Sequence, residues 1–515
     1  SEIMNNSVHG HNDAKKSILR LIGQWMNGSN QGSCIGLCGP PGIGKTTLCK
    51  NGIAECLVDQ NGNKRPFSFI ALGGAHNGSL LEGHLYTYLG STWGKIVDIL
   101  IETQCMNPII YIDELDKISN TEHGREIIGI LTHLTDRAQN DTFEDKYFAG
   151  IKLDLSKALF IFSYNDSNSI DRILKDRITE IKIKPLTKID KLIITNEYVM
   201  PDIYKNVGFK KDEIIMPKKL ISEIIDNYTY EPGVRKLNEI LFDTIREINL
   251  KKIMENDLDL PFTINKEFID NLLADRPCIE HKKIASKPFI GMINGMYASS
   301  NYLGGITIIQ VMKVASDRKL GLEKLTGNQG DVMKESMNCA LTVVWNLLPE
   351  EIKIKINENK NTLGGTGLHI HCPDTSTPKD GPSAGIAITC AILSCLMEIP
   401  ILNTVSVTGE IDLLGNVHKI GGVSEKVNGS IKAGVKTILL PSENRFDYEQ
   451  YLKHKNDDIK ILEDKFNINK SYDDLLKLKD LEDNDVEVHF METIYDAIPV
   501  VFGKNILIHN SSPIV

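Results

Sequence analysis

Residues 39–46 read Gly-Pro-Pro-Gly-Ile-Gly-Lys-Thr, and they match the phosphate-loop pattern G-x-x-x-x-G-K-[ST] at every fixed position. An apolar run at 33–38 comes before this loop, and a helical stretch comes after it. Glycines allow consecutive backbone N–H groups to turn toward phosphate oxygens, and the N-terminus of the following helix adds positive potential. The order of strand, loop and helix supports the match. The stretch therefore predicts a nucleotide-binding α/β domain.

The rest of residues 1–185 continues this pattern. Short apolar runs at 68–71, 109–112 and 158–162 alternate with helical stretches, which favours a parallel sheet. Residues 186–272 have helical periodicity without strand alternation, and they predict a helical subdomain.

The pattern breaks down at 273–288, which we interpret as a linker. Residues 289–515 then begin a new set of strands and helices, which predicts a second domain. Within it, residues 442–485 are charged and irregular, and we interpret them as a surface insertion.

Two acidic residues, Asp113 and Glu114, follow the apolar run at 109–112. Asp113 is expected to hold Mg²⁺ through water, and Glu114 to orient and deprotonate the water that attacks ATP. Asn165 follows the next apolar run and is either a sensor of the γ-phosphate or a loop cap. Arg177 and Arg235 either bring charge to the γ-phosphate, Arg177 across a subunit boundary, or are ordinary surface residues.

The predicted site therefore takes ATP and Mg²⁺. Lys45 is expected to reach the β- and γ-phosphates, and the Thr46 hydroxyl to ligate Mg²⁺. The expected nucleotide-binding residues are Gly39, Pro40, Pro41, Gly42, Ile43, Gly44, Lys45, Thr46, Thr47, Asp113, Asn165, Arg177 and Arg235.

A second motif lies at 378–385, which read Pro-Lys-Asp-Gly-Pro-Ser-Ala-Gly. Ser383 stands between small residues before a long apolar helix, where backbone N–H groups can stabilise an oxyanion. A serine nucleophile needs a base, and Lys426 can act as one if burial lowers its pKa. From the residues alone, a helix-capping serine and a solvated lysine are the more common alternatives.

The composition is that of an ordinary globular chain of 515 residues, and its net charge of −10 disfavours a nucleic-acid partner. None of the ten cysteines forms C-x-x-C, so we interpret them as buried thiols. Residues 1–10 are polar and predict no secretory signal. The most apolar stretch, 384–402, is interrupted by Glu398 and Pro400, so no membrane span is expected. These features indicate a cytoplasmic protein, or one of another reducing intracellular compartment.

Taken together, these motifs resemble those of the Lon family of ATP-dependent proteases, from the segment before Gly39 to about Phe502. Residues 112–117 (Ile-Asp-Glu-Leu-Asp-Lys) are similar to the family's acidic motif, 378–385 to its nucleophile motif, and 421–426 (Gly-Gly-Val-Ser-Glu-Lys) to its lysine motif. The resemblance implies an α/β AAA+ module with a helical subdomain, followed by an α+β Lon-type protease domain.

The resemblance also implies roles in the protease domain. Ser383 is the expected nucleophile, and Lys426 rather than Lys419 is the expected base. Thr408, which opens Thr-Gly-Glu at 408–410, is the expected hydrogen-bond partner of the lysine.

In the ATPase module, the resemblance implies that Asn165 is the sensor-1 residue, Arg177 the arginine finger and Arg235 the sensor-2 residue. An arginine finger acts on the ATP of a neighbouring subunit. We therefore expect a ring, and the resemblance implies that it is a homohexamer.

Four features depart from the family pattern. The resemblance includes no counterpart of the family's amino-terminal substrate-binding domain. Residues 90–94 read Gly-Ser-Thr-Trp-Gly, whereas the family's pore loop usually reads G-S-M-P-G; Tyr88 and Leu89 are still expected to grip substrate, and Trp93 to change the loop's shape. Ser424 stands where bacterial members often have another lysine, and the insertion at 442–485 is longer than usual.

We therefore expect an ATP-dependent serine endopeptidase that unfolds and translocates proteins and degrades them with a Ser-Lys dyad. Its expected substrates are unfolded or damaged proteins. One alternative is an ATP-driven unfoldase or chaperone with a silent protease domain, but Ser383 and Lys426 are both present. The other is a DNA-linked ATPase with a Lon-like scaffold domain, which the acidic balance disfavours.

Overall fold

The computed structural model describes residues 2–27, 34–58, 62–74, 77–255, 260–278, 282–299, 302–316, 320–362, 365–373, 378–466 and 486–504. The chain divides into two compact units, Ser1–Pro277 and Cys278–Val515. The division lies within residues 273–288, the segment that the sequence marks as a linker.

A five-stranded parallel sheet forms the centre of the first unit. Alternate residues of one strand face two different apolar clusters: Ile110 and Ile112 lie in one, Ile109 and Tyr111 in the other. Three central strands are buried on both faces and form from near-continuous apolar runs, which is why the sequence predicted them. A fourth, at one edge of the sheet, was predicted from its own apolar run although Ile70 is its one buried residue. In their order across the sheet, the strands are Phe67–Ala71, Ile109–Asp113, Leu159–Tyr164, Cys34–Cys38 and the unpredicted edge strand Thr179–Lys182.

Helices and short turns connect these strands. The helix after the phosphate loop consists of Lys45–Thr47, a wider π-helical stretch Leu48–Ile53, and Ala54–Cys56. The other elements are the helices Glu2–Ser7, Asn12–Asn27, Ser79–Glu82, Lys95–Thr103, Glu122–Thr135 and Arg172–Lys175, the 3₁₀ turns Leu115–Lys117 and Ser167–Ser169, and the antiparallel pair Phe143–Glu144 and Lys152–Leu153.

The remainder of the first unit packs around its own apolar cluster. Two short strands, Ile214–Ile215 and Phe262–Thr263, pair in parallel there. The sequence analysis did not anticipate them, because two residues are too few to show alternation. The helical elements are Lys188–Ile194, Thr195–Val199, Met200–Val207, Lys218–Asn227, Arg235–Glu255 and Lys266–Leu272.

The second unit is built on a seven-stranded mixed sheet. A separate hairpin pairs Glu410–Ile411 with Val417–His418. The sheet strands, in spatial order, are Gly321–Thr326, Gly365–His371, Gly304–Ser316, Met292–Ala298, Val405–Val407, Thr437–Pro441 and Glu487–Met491.

One helix of this unit, Gly385–Met397, forms the centre of its core. Every residue of this helix except Met397 is buried, because a helix that is apolar all round has no face suited to water. The helix ends at Met397, Glu398 follows in the left-handed conformation, and the apolar residues after it form a single bridge between Phe289 and Ile401. The other helical elements are Asp331–Leu347, Glu350–Thr362, Pro382–Ala384, Val423–Lys432, Ser442–Asn444, Arg445–Phe466 and Ile494–Phe502.

The prediction that residues 442–485 are irregular is wrong for the first half of that segment. The helix Arg445–Phe466 begins there, and residues 467–485 lie outside the described residues. The helix is rich in charged residues, so its few apolar contacts were not apparent from the sequence. The ring of Tyr448 contacts the rings of Tyr451, on the same helix, and Phe490, on the strand Glu487–Met491. We call the helix Arg445–Phe466 the surface helix.

All ten cysteines are free thiols, five of them are buried, and Cys278 is exposed. Among the described residues, no group of three or more His, Cys, Asp or Glu side chains is placed to hold a metal ion. Within the same part of the chain, none of the helices combines the length and the apolar composition that crossing a bilayer requires.

Candidate active sites

The phosphate loop joins the strand Cys34–Cys38 to the helix that begins at Lys45. Gly42 and Gly44 have φ angles of +76° and +89°, which residues with a side chain rarely adopt. Gly39 N donates to the carbonyl oxygen of Tyr164 (3.1 Å), which ties the loop to the neighbouring strand. The glycines of the motif therefore serve the turn that a phosphate cradle needs.

Lys45 lies at the carboxyl edge of the parallel sheet. Its Nζ donates to the carbonyl oxygens of Gly39 (2.5 Å) and Tyr164 (3.2 Å) and to Oδ1 of Asn165 (2.7 Å). Burial lowers the pKa of Lys45, and nearby carboxylates oppose that shift. The predicted phosphate-binding cation and the predicted sensor are thus in direct contact, because the strands that lead to them are adjacent and parallel.

Asp113 and Glu114 lie at the end of the next strand. Asp113 Oδ1 accepts a hydrogen bond from Glu114 N (3.0 Å). A Cβ atom on Gly73 would lie 1.7 Å from Glu114 Oε2, so this carboxylate fills the space above the glycine. The Thr46 hydroxyl lies 3.2 Å from Tyr111 Oη. The two acids and the phosphate-loop threonine therefore approach the same edge of the sheet.

Arg235 begins the helix Arg235–Glu255 directly beside the phosphate loop. Val234 N donates to the carbonyl oxygen of Gly42 (3.1 Å), and a Cβ on Gly42 would lie 3.2 Å from Arg235 Cβ. The buried carboxylate of Glu231 accepts hydrogen bonds from two N–H groups in the first turn of this helix, which fixes the helix start.

Arg177 makes different contacts. Its Nη2 pairs with Asp136 Oδ2 (3.1 Å), and its Nη1 donates to the carbonyl oxygen of Ile173 (3.1 Å). Among the described residues, these are its recorded hydrogen-bond partners, and neither belongs to the phosphate loop. The structure brings Lys45, Asn165 and Arg235 together around the loop and leaves Arg177 elsewhere on the same unit.

The sequence analysis missed His11. Its Nε2 lies 2.9 Å from the carbonyl oxygen of Ile43 in the phosphate loop, and burial lowers its pKa. Residues 9–11 read His-Gly-His, and Gly10 and His11 both have positive φ angles. A glycine between two histidines in a polar stretch was the available signal, although it specifies no partner.

The predicted pore-loop residues separate into two environments. Leu89 and Tyr88 project into solvent, with 108% and 66% of their surfaces exposed. Trp93 instead stacks on Phe148 (ring centroids 6.0 Å apart) and meets Tyr147 edge-on (5.9 Å). Trp93 remains 41% exposed, so it is neither a free loop tip nor a core residue.

Asp145, which the sequence analysis did not single out, joins this loop to the following turn. The residue is completely buried. Its Oδ2 accepts a hydrogen bond from Gly94 N (2.8 Å), and its Oδ1 accepts one from Tyr147 N (2.8 Å). Gly83 and Gly94 pack too closely here to admit side chains. One carboxylate therefore holds both the segment that carries Trp93 and the segment that carries the partly buried rings of Tyr147 and Phe148.

Ser383 lies in the 3₁₀ turn Pro382–Ala384, immediately before the buried helix. Gly381 has a φ angle of +121°, which favours glycine. Asp380 Oδ1 accepts hydrogen bonds from Met333 N (3.0 Å) and Gly381 N (2.9 Å). The loop before the serine is therefore anchored to the start of the helix Asp331–Leu347.

Lys426 and Thr408 form a chain of contacts that leads to Ser383. Lys426 Nζ donates to Thr408 Oγ1 (3.1 Å), and Thr408 Oγ1 donates to the carbonyl oxygen of Ser383 (3.1 Å). Gly409 N donates to the same carbonyl (2.8 Å). The described residues include no direct hydrogen bond between Lys426 Nζ and Ser383 Oγ. The three predicted residues nevertheless come together.

Burial changes the acidity of Lys426. The residue is only 3% exposed, and burial lowers its pKa to about 8, against a small opposing effect of Glu425. An amine of this kind is neutral in a useful fraction of molecules near neutral pH, which a base requires.

Lys419, the alternative lysine, is placed differently. Its side chain is 60% exposed and pairs with Asp447 Oδ2 (3.4 Å). Its backbone N–H donates to Glu443 Oε2 (2.8 Å). The geometry favours Lys426 over Lys419 as the lysine beside the serine.

Glycines set how closely the helix Val423–Lys432, which we call the lysine helix, approaches the sheet. A Cβ on Gly304 would lie 1.8 Å from the carbonyl oxygen of Glu425, and a Cβ on Gly429 would lie 2.2 Å from Gly305 N. The lysine helix therefore packs backbone to backbone against the strand Gly304–Ser316.

Three family models match the chain. Residues 35–186 match the model described as "ATPase family associated with various cellular activities (AAA)", and 205–260 match "Lon protease AAA+ ATPase lid domain". Residues 263–478 match "Lon protease (S16) C-terminal proteolytic domain". These matches confirm the predicted fold class of an AAA+ module followed by a Lon-type protease domain.

Curated relatives match over most of the chain. The Lon protease homolog of Acanthamoeba polyphaga mimivirus is 36% identical over 506 residues, covering 87% of this chain and 48% of the relative. The Lon protease of Chlamydia trachomatis is 34% identical, covering 92% and 56%. The mitochondrial Lon protease homolog of Drosophila melanogaster is 32% identical, covering 90% and 44%. The chain thus spans about half the length of these relatives.

Proposed function

This chain belongs to the Lon protease family, and we propose that it is an ATP-dependent serine endopeptidase that unfolds, translocates and degrades proteins. The observation that carries the proposal is the buried Lys426, whose Nζ donates to the Thr408 hydroxyl beside Ser383. A lysine whose burial lowers its pKa to about 8 can accept a proton. Burying an amine costs free energy, and a protease domain without activity would gain nothing that offsets this cost.

In the proposed reaction, Ser383 Oγ attacks the carbonyl carbon of the scissile peptide bond, and its proton passes to Lys426 Nζ. The C–N bond then breaks, and the departing amine takes that proton. Water hydrolyses the resulting ester to release the second product and restore the serine. Thr408 accepts a hydrogen bond from Lys426 and so orients the amine toward the serine. Backbone N–H groups at the start of the buried helix are suited to stabilise the oxyanion.

The other unit binds the nucleotide, and we propose ATP as its substrate. Lys45 would contact the β- and γ-phosphates, Glu114 would orient the attacking water, and Asn165 and Arg235 would contact the γ-phosphate from the same subunit. Their contacts around the phosphate loop support these roles.

The residues also fit Mg²⁺, which prefers oxygen ligands. The Thr46 hydroxyl and the Asp113 carboxylate supply such ligands, and Asp113 lies near enough to Lys45 to raise its pKa. When bound, the ion neutralises phosphate charge.

We further propose a homohexameric ring in which Arg177 reaches the ATP of the neighbouring subunit. Exposed Tyr88 and Leu89 would contact an unfolded chain and pass it to the Ser383 sites. A cytoplasmic or other reducing location is in keeping with ten free cysteines. Unfolded and damaged proteins are the proposed substrates.

The test is degradation of an unfolded protein such as casein, measured with and without ATP. We expect ATP to stimulate degradation, Ser383→Ala to abolish it while ATP hydrolysis continues, and Lys45→Ala to abolish both. Glu114→Gln should bind ATP and fail to hydrolyse it. ATP hydrolysis with no cleavage of casein or of short peptides would instead identify an unfoldase with a silent protease domain.

A further inference from the structure

Asn444 is completely buried, although asparagine is usually a surface residue. Its Oδ1 accepts a hydrogen bond from Ile420 N (2.9 Å), and its Nδ2 donates to the carbonyl oxygen of Ile420 (2.9 Å). Nδ2 also donates to Asp447 Oδ2 (2.7 Å). One side-chain amide therefore holds both backbone groups of a single residue, which fixes the position and the direction of the chain at Ile420.

Ile420 leads directly into the lysine helix. Gly422, two residues later, has a φ angle of +69° and stands at the N-terminus of this helix, and Lys426 N donates to its carbonyl oxygen (3.0 Å). A displacement of Ile420 therefore reaches the first turn of the helix, which carries Lys426.

The side chain of Lys426 is enclosed by its neighbours, but hydrogen bonds do little to orient its amine. Among the described residues, Thr408 is the one recorded hydrogen-bond partner of its ammonium group, which has three N–H donors on a flexible stem. The position of the amine therefore depends on where the backbone of the lysine helix begins.

We propose that Asn444 is a positioning residue for the peptidase reaction: by holding Ile420, it keeps the Lys426 amine beside Thr408 and Ser383. This inference rests on the proposed Ser-Lys dyad and adds a residue that does not touch the reacting atoms. It also links the surface helix, which begins one residue after Asn444, to the peptidase site. Tyr451 of that helix donates to Asn428 Oδ1 of the lysine helix (2.6 Å).

The surroundings of Lys426 predict how its pKa should change if Asn444 no longer holds Ile420. Burial is the dominant influence on the pKa of Lys426, and among the described residues Glu425 is the charged group that opposes it. Lys419 and Asp447 pair with each other on the surface. A looser lysine helix would expose the amine to water, and its pKa would rise toward the ordinary lysine value of about 10.4.

The experiment compares Asn444→Asp with the wild-type chain on a short fluorogenic peptide, whose cleavage needs no unfolding. Asn444→Asp keeps the shape and one acceptor but loses the donors to Ile420 and Asp447. We expect kcat to fall about tenfold or more, since small misplacements of a catalytic group are costly, with little change in KM. The pH at which cleavage reaches half its maximum should rise above about 8. Lys419→Met, which removes a surface ion pair of the same segment, should change neither quantity.

Two further measurements separate the proposed positioning role from a general loss of folding. Thermal unfolding reports whether the unit that carries Asn444→Asp is folded, and ATP hydrolysis reports that the other unit is unaffected. In the wild-type protein, hydrogen exchange should show a protected Ile420 amide, although Ile420 precedes the helix. A folded Asn444→Asp with an unchanged kcat and pH profile overturns the inference, and so does rapid exchange of the Ile420 amide. Absence of peptide cleavage in the wild type would instead reject the dyad itself.

Discussion

The glycine contacts beneath the lysine helix make Gly304→Ala an informative substitution. A Cβ at this position would lie 1.8 Å from the carbonyl oxygen of Glu425 and 3.0 Å from Lys426 N. Carbon–oxygen contacts of this kind are favourable at about 3.3 Å, so the strand and the helix would have to separate by about 1.5 Å. Because misplacing a catalytic group by about 1 Å can cost about a hundredfold in rate, we expect peptide cleavage to fall by about that factor.

The assay measures kcat for a short peptide, together with ATP hydrolysis and thermal unfolding. Overpacking costs about 1–3 kcal/mol, so the melting temperature should also fall, and cleavage must be measured well below it. Gly429→Ala should reproduce the loss from the helix side, because its Cβ would lie 2.2 Å from Gly305 N. ATP hydrolysis should persist, because the phosphate loop belongs to the other compact unit.

Gly421→Ala is the matched control. A Cβ on Gly421 meets nothing within 4 Å, and its φ angle is not positive. This variant should therefore cleave peptide at nearly the wild-type rate. If Gly304→Ala is folded and cleaves normally, the end of the strand yields instead of the helix, and the reasoning is wrong. An equal loss in Gly421→Ala would show that the effect does not come from the backbone contact.

Further predictions concern the other residues of the two sites. Lys426→Ala and Lys426→Arg should abolish cleavage while Lys419→Ala spares it, and wild-type cleavage should rise with pH through about 8, because the base works only when its depressed pKa leaves it unprotonated. Loss of cleavage in Lys419→Ala alone would reverse that assignment. Trp93→Ala, which removes the ring contacts with Tyr147 and Phe148, should slow degradation of folded proteins and leave peptide cleavage intact; a melting temperature lower by many degrees would point to a core role instead. Mixed rings of Arg177→Ala and Lys45→Ala subunits should recover part of the ATPase activity if Arg177 acts on a neighbour, and proven mixed rings without recovery would count against that role.

The strands of the first unit were predictable because each depends on a short, local apolar run. The observed bounds Cys34–Cys38, Phe67–Ala71, Ile109–Asp113 and Leu159–Tyr164 differ from the predicted ones by one or two residues. Thr179–Lys182 escaped prediction because a sheet edge needs only one buried residue, Ile181, among polar neighbours. The helix Arg445–Phe466 escaped because its charged face outweighs its apolar contacts.

The residues of the candidate sites also differ in how far the sequence alone could predict them. Lys45 was predicted from the continuous phosphate-loop motif, and Asp113 from its place after an apolar strand. Lys426 was preferred to Lys419 only through the resemblance to the Lon family, because their difference in burial does not appear in the seven residues that separate them. Asn444 and Asp145 hold backbone groups of segments far from them in sequence. Such contacts exist only after the fold brings the segments together.

The pairing of Arg177 with Asp136 sets a threshold for communication around the proposed ring. Within its own subunit, the guanidinium is held by one carboxylate and one carbonyl oxygen. The backbone N–H of Ala138 and the Arg177 contact lower the pKa of Asp136, so this carboxylate stays charged. If Arg177 acts on a neighbour's nucleotide as proposed, that nucleotide would have to compete with a local anion, and a terminal phosphate with several charged oxygens would compete better than a shorter nucleotide. In such a ring, each subunit would sense whether its neighbour holds a complete triphosphate through the outcome of a competition between anions.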